Sequence, residues 1–417
     1  MKTSQKTIFS IFLAAVTLAA GGCSHRTTLK HASPQSQNMD ESRLELIDSA
    51  VNAAISAGEI PGAVISVVHN DRIVFLRAYG NKSVVPTVEP MTEDTMFDMA
   101  SVSKCVGTTL SFMQLIEQGK VRLGDPVDRY IPEFKPWVDP ETGETQKITV
   151  QDLLTHSSGL SAYISVPPYL KKYGENTPDS LMHYIATEVK RNFRPTTDVL
   201  YSCLNFVTLQ NILQRVTGER LCDYAQKHVF DVLELKNTCY FPLFGEPQSN
   251  PNAKALALKC APTEVQEDGL PLVAAVHDPI ARQINAGNSG NAGVFSNAED
   301  LSIVAAALLN GGSIMGKRIL GKETVRLMFT IPKSNDPQVA RALGWDTYDM
   351  YPGTSGDIFE REHTVGHTGY TGTSIVLDPD TKTGVIVLAH RVHPKDEGST
   401  ARLRAVIANI VAGSILD

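Results

Sequence analysis

A hydroxyl and an amine stand three residues apart in Ser101-Val102-Ser103-Lys104. On a helix that spacing is one turn, so both side chains can leave the same face. Ser101 then has the makings of a nucleophile, and Lys104 of the base that takes its proton. Lys104 can act as a base only when neutral. Bringing a lysine from near 10.4 to about 7 takes roughly 4–5 kcal/mol of differential stabilisation, which burial and a neighbouring cation can supply. Val106, Leu110, Met113 and Ile116 follow at helical spacing, so Ser101 is expected just before an apolar helix. Alone, Ser101 reads equally well as a helix cap.

Two further groups lie downstream, Tyr201-Ser202-Cys203 and His367-Thr368-Gly369. Taken singly, Tyr201 is a half-buried aromatic and His367 a loop histidine. In this order, however, the three groups resemble the serine β-lactamase and penicillin-binding-protein superfamily. The resemblance is greatest to its class C-like branch, which includes DD-peptidases, penicillin-binding protein 4B-like proteins and esterases. It covers the chain from about Met39 to the end. Asp152 to Leu160, Val276-His277-Asp278, Gly290 to Ser296 and Gly366 to Thr373 resemble the family's connecting segments.

The resemblance implies roles. Tyr201 would relay the proton from Ser101 to the leaving group. The backbone N–H groups of Ser101 and Tyr370, the latter just after His367-Thr368-Gly369, would form the oxyanion hole, where one donor gives about 10²–10³ in rate. Thr368 would hydrogen-bond a substrate carboxylate. Two positions depart from the common pattern. Cys203 stands where the family usually has Asn, and a thiol donates and accepts only weakly. His367 stands where many β-lactamases carry Lys, and a histidine is mostly neutral at pH 7. Both departures point away from a dedicated β-lactamase. Asn205 would be aimed elsewhere. His156 reads as a structural turn residue near the cleft, and Trp345 as core or cleft wall.

These groups need a scaffold. Leu44, Ile47, Val51 and Ala54 or Ile55 predict a helix over about 40–57, stopped near Gly58. Ala63 to Val68 and Ile73 to Tyr79 read as a hairpin around Asn70-Asp71. Ser374 to Leu377 and Val385 to His390 read as a second hairpin, and Leu403, Val406, Ile407 and Ile410 as a C-terminal helix. Helix and hairpin at the start thus mirror hairpin and helix at the end. The expected fold is α/β (α+β): one antiparallel sheet, flanked by the N- and C-terminal helices. The sheet lobe comprises 39–100 and 285–417. A mostly helical lobe, 101–284, is inserted into it, with helices such as Leu181 to Lys190 and Phe206 to Val216. The resemblance implies the β-lactamase/transpeptidase-like architecture, with the active site between the lobes.

The remaining features narrow the class. The chain has 417 residues and a formal charge of −7, with no basic stripe, so nucleic acid is not an expected partner. Lys2 and Lys6 precede an apolar run from Ile8 to Ala20, too short to span a bilayer and suited to a signal peptide over 1–22. Ala20-Gly21-Gly22-Cys23 resembles a lipoprotein cleavage box, with Cys23 lipidated and 23–38 a flexible tether. The alternative is ordinary cleavage and soluble secretion. With Cys23 set aside, five cysteines remain, and their spacings name no disulfide. No metal and no cofactor are expected, and His390 and His393 read as surface or packing residues. The expectation is an exported serine hydrolase on the periplasmic side of the envelope, anchored by lipid, outer membrane first. It would form an acyl-enzyme at Ser101. Cell-wall D-alanyl peptides come first as substrates, small esters second and β-lactams third. The competing reading is a penicillin-binding sensor or scaffold that acylates without turnover. The sequence carries no signal for an oligomeric state.

Overall fold

The computed structural model describes residues 28–333, 340–347 and 354–416. Among these residues, seven strands build the main sheet: β1 (Gly62–His69), β2 (Arg72–Ser83), β3 (Glu89–Pro90), β4 (Asp346–Thr347), β5 (Val365–Thr368), β6 (Ser374–Asp378) and β7 (Thr383–Ala389). Their order is β4-β5-β6-β7-β1-β2-β3, antiparallel throughout. The first and last long strands meet in the middle, with Ala63 opposite Ala389 and His69 opposite Thr383. The β1–β2 turn puts Asn70 and Asp71 at φ 48° and 60°. Asn and Asp tolerate this region best among non-glycines, and two positive φ values give a turn whose twist matches that of the strands.

Both faces of the sheet are covered, so β1 is buried along its whole length. Its alternation sorts the faces. Ala63, Ile65 and Val67 pack with Ile47 and Val51 of α1 (Leu46–Ser56) and with residues of a C-terminal helix, Ala401–Ser414, among them Leu403, Ile407 and Val411. Val64 and Val68 face the opposite core, which contains Leu301 and Val304 of a helix over Ala298–Leu309. Each such side chain contributes roughly 1.5–3 kcal/mol by leaving water. The one polar residue on this face, Ser66, is satisfied by Ser302 Oγ at 2.8 Å. The terminal helices therefore pack as the sequence predicts.

The helical lobe supplies α2 (Leu110–Glu117) and α3 (Cys203–Thr217); the two helices already described at the sheet are α4 (Ala298–Leu309) and α5 (Ala401–Ser414). α2 is entered through a wide, π-type turn over Lys104–Thr109, a form often found at functional positions. α3 ends at Gly218, φ 76°, the left-handed cap that only glycine adopts freely.

Residues 28–38 depart from the expected tether. Leu29 is buried in the main core, the Ile73 N–H donates to Lys30 O at 3.1 Å, and Pro34–Gln37 forms a short helical turn. Buried Leu29 and Pro34 and three backbone bonds, two to Ile73 and one to Leu416, anchor this polar stretch, too little for a composition argument to detect. The expected signal peptide, Cys23 and the start of the tether lie outside the described residues. No described helix is long and apolar enough to cross a membrane, and the described cysteines are all free thiols.

Candidate active site

Ser101 follows a short strand, Phe97–Asp98, through a sharp bend. Ala100 sits at φ 45°, where a side chain costs roughly 1 kcal/mol. The surroundings hold it there. The buried Asp98 carboxylate accepts the N–H groups of Ala100 at 2.8 Å and His277 at 2.6 Å. Thr371 Oγ1 donates to Asp98 O at 2.7 Å and Thr373 Oγ1 to Met99 O at 3.0 Å. The turn after β5 is thereby tied directly to the turn that carries Ser101. Gly369 is required at this junction: a Cβ there would lie 2.1 Å from Thr373 Oγ1 and 2.5 Å from Met99 O.

Lys104 is fully buried. Its Nζ lies 2.9 Å from Ser101 Oγ, donates to Asn291 O at 2.8 Å, and lies 3.6 Å from Cys203 Sγ. The Tyr201 ring centre is 5.0 Å from Nζ, and the Tyr201 hydroxyl interacts with both Lys104 and Ser101. The four side chains singled out in the sequence therefore converge. Burial disfavours the Lys104 ammonium, while ionised Cys203 and Tyr201 would oppose burial and lift Lys104 above its ordinary value. Both partners are themselves pushed up by burial, Tyr201 to about 12. Near neutral pH they keep their protons, so what acts on the amine is burial, which favours the free base, against the pull of the Asp278 carboxylate.

Tyr201 is aimed from below. His156, at φ 57°, stacks on its ring at 4.5 Å and accepts the Ser202 N–H at Nδ1, 2.9 Å away. Asn205 donates to the same Nδ1 at 3.2 Å and accepts Ser158 Oγ at 2.6 Å. It is thus turned away from Lys104, as expected from its place two residues beyond Cys203 in α3. Burial holds His156 well below the ordinary histidine range, so it works as a neutral acceptor.

His367 differs from the expected substrate contact. It is buried; Nδ1 lies 2.8 Å from Thr368 O, so it carries the proton, and Nε2 accepts from Arg341 Nη2 at 3.3 Å. Neither ring nitrogen is left for a ligand. Burial lowers the ring to about 4, against the pull of Asp346. Its partner Arg341 lies behind the cleft wall. It is fully buried, ion-paired to Asp346, with its guanidinium 5.5 Å from the Tyr201 ring centre.

The opening is a cleft of about 300 Å³, whose walls include Ser101, Tyr201, Thr368, Gly369, Tyr370 and Arg404. The N–H groups of Ser101 and Tyr370 have no acceptor among the described residues, as two donors kept for a developing oxyanion would. Tyr370 itself is clamped: its hydroxyl donates to Asp396, and Arg391 lies over its ring, 4.4 Å from the centre, and donates to its carbonyl at 2.7 Å. Burial lowers Arg404 to about 10, so it stays charged at neutral pH.

Sequence reasoning missed Asp98, Arg341, Asp346, Arg391 and Arg404. Charged residues read as surface unless a partner is known, and Arg341–Asp346 and Arg391–Asp396, five residues apart in loop and short-strand segments, follow no helical or strand period. Asn291 lay within a segment used for the resemblance, but its backbone bond to Lys104 has no sequence signal. His390 and His393 are buried, each with a ring nitrogen on a backbone carbonyl, at Lys82 and Thr263. Among the described residues, the one cluster of metal-ligating type is Glu360, His363 and Asp380, all exposed and none of them a wall of the cleft.

A family model described as Beta-lactamase matches residues 47–409. An N-acetylmuramyl-L-alanine amidase of Bacillus subtilis (strain 168) is 30% identical, over 94% of this chain and 92% of its own. A protein of Escherichia coli (strain K12) that carries the provisional name D-alanyl-D-alanine carboxypeptidase is 27% identical, over 93% and 91%. The crystal structure of a class C beta lactamase superposes with a TM-score of 0.66 at 21% identity, over 90% of this chain and 99% of that one; at that identity the likeness speaks for the fold.

Proposed function

The chain belongs to the Beta-lactamase family and is a serine hydrolase, and from that premise we propose that it works through an acyl-enzyme at Ser101. Ser101 Oγ bonds to the acyl carbon as its proton passes to Lys104 Nζ. Tyr201 hands that proton to the departing nitrogen or oxygen as the bond to the acyl carbon breaks. A water then gives up a proton along the same path, attacks the ester and frees Ser101. The observation that carries this reading is the 2.9 Å approach of Lys104 Nζ to Ser101 Oγ inside a buried pocket. Ser101 and Tyr370 would supply the oxyanion donors and Thr368 a carboxylate contact.

The substrate order is D-alanyl cell-wall peptides, then small esters and amides. The relatives' names, an amidase and a carboxypeptidase, support peptide-like acyl donors. Export, with a lipid on Cys23 and a place on the periplasmic side of the outer membrane, belongs to the same proposal; its support is the apolar run Ile8 to Ala20 and the Gly21-Gly22-Cys23 box. The second reading, a β-lactam-binding protein that acylates without turnover, is favoured by one feature: Cys203 offers Lys104 a thiol at 3.6 Å in place of an amide. Intact mass after incubation with a penicillin, a p-nitrophenyl ester and a D-alanyl-D-alanine peptide separates these. A transient adduct with product release supports the hydrolase, one persistent equivalent the binder. No adduct and no product with any of the three would refute both.

A further inference from the structure

A trans peptide unit sends its C=O and N–H to opposite sides of the chain. Whatever holds the Gly369 carbonyl therefore also aims the Tyr370 N–H. Gly369 O accepts two donors: the Gly372 N–H at 3.1 Å, which closes the turn, and Arg404 Nη2 at 2.9 Å. The same Nη2 donates to Thr373 O at 2.8 Å, so one guanidinium nitrogen spans both ends of the turn. Arg404 Nε is buried and unpartnered among the described residues. The anchor is rigid, because Arg404 lies on α5 between Leu403 and Ile407, both packed against the sheet.

We propose that Arg404 is a positioning residue: by holding the Gly369 carbonyl away from the cleft, it turns the Tyr370 N–H toward Ser101 and fixes one half of the oxyanion site. This rests on the acyl-enzyme reading and adds to it a part for the C-terminal helix. Arg404 lines the cleft, but its Nη2 is spent on the turn. On this proposal the reaction depends on where Arg404 places its neighbours, whereas a contact with the substrate would show as a raised KM.

The test compares wild type with Arg404→Met and Arg404→Lys on p-nitrophenyl butyrate and on its thiono analogue, in which sulfur replaces the carbonyl oxygen. Sulfur accepts hydrogen bonds weakly, so the ester-to-thionoester rate ratio reports the oxyanion donors themselves. One donor is worth about 10²–10³. Arg404→Met should lower kcat on the ester by about 10- to 100-fold with KM within about twofold, and the rate ratio should fall in step. Arg404→Lys keeps the charge on a single ammonium and should fall between. A folded Arg404→Met with an unchanged ratio, or with KM raised and kcat intact, overturns the proposal; if that variant does not fold, a wild-type ratio in Arg404→Lys overturns it. Ser101→Ala is the separate control. p-Nitrophenolate release that survives Ser101→Ala, or is absent from wild type, defeats the acyl-enzyme reading and this proposal with it, whereas an unchanged rate ratio defeats this proposal alone.

Discussion

Cys203→Asn tests the least ordinary residue of the cleft. The thiol lies 3.6 Å from Lys104 Nζ, long for any contact stronger than a weak sulfur bond. An amide places its oxygen about 1.2 Å beyond a carbon at that position, enough to bring an acceptor to roughly 2.9 Å. Asn291, whose buried side chain already approaches the Cys203 thiol, is a second donor at hand, so the new oxygen would not be stranded. The bond to Lys104 strengthens as the lysine takes the proton of Ser101, so it acts in the transition state. At about 1 kcal/mol it raises kcat for every substrate by about fivefold. The amide nitrogen would add a similar amount for substrates with an amide side chain next to the acyl carbon. D-alanyl peptides and penicillins should then gain about 25- to 30-fold and simple esters about fivefold. The assay is kcat/KM for a D-alanyl-D-alanine peptide and p-nitrophenyl butyrate on both proteins. An unchanged or reduced peptide-to-ester ratio in a folded variant refutes the reasoning.

Ser101→Ala should abolish labelling by a fluorophosphonate or a fluorescent penicillin while leaving the circular dichroism unchanged; a labelled variant would reassign the nucleophile. Stability should fall with acid. Burial lowers His367 to about 4 and His390 to about 3, against about 6.5 when unfolded. Below pH 6.5 the unfolded chain takes up protons that the folded one refuses, so the stabilisation is complete above that pH and is lost as pH falls toward the folded values. At pH 4.5 this amounts to roughly 2–3 kcal/mol per histidine. His390→Gln should therefore flatten the urea midpoint between pH 7 and 4.5, and a slope equal to wild type would contradict it. Cys23→Ala should move the protein from membranes to the soluble periplasmic fraction of a Gram-negative host, and unaltered membrane association would count against the anchor.

The elements that frame the cleft were legible because their patterns are local. Ala63 to Val68 and Ser374 to Leu377 are apolar runs bounded by turn residues, and Leu403 to Ile410 repeats at helical spacing. The meeting of Ser101, Lys104, Tyr201 and Cys203 was legible from motif order. What escaped was held by contacts that leave no periodic pattern. Asp346 lies in a two-residue strand, too short to have a period, and its Arg341 looks like a surface charge. His367 read as a ligand because its burial depends on a guanidinium 26 residues upstream. Leu29 was lost in a polar stretch because one side chain makes no pattern.

The seam between β1 and β7 bears on how the chain is made. Residue 63 finds its partner at 389, so while synthesis proceeds the first hairpin waits with an unpaired edge, and pairing over such a separation is slow. The bend that carries Ser101 waits too, since Thr371 and Thr373 are what pin it. A chain interrupted after Lys104 but before the last hairpin therefore has its nucleophile and base and no working site. Activity in this enzyme is a signature of completed translation.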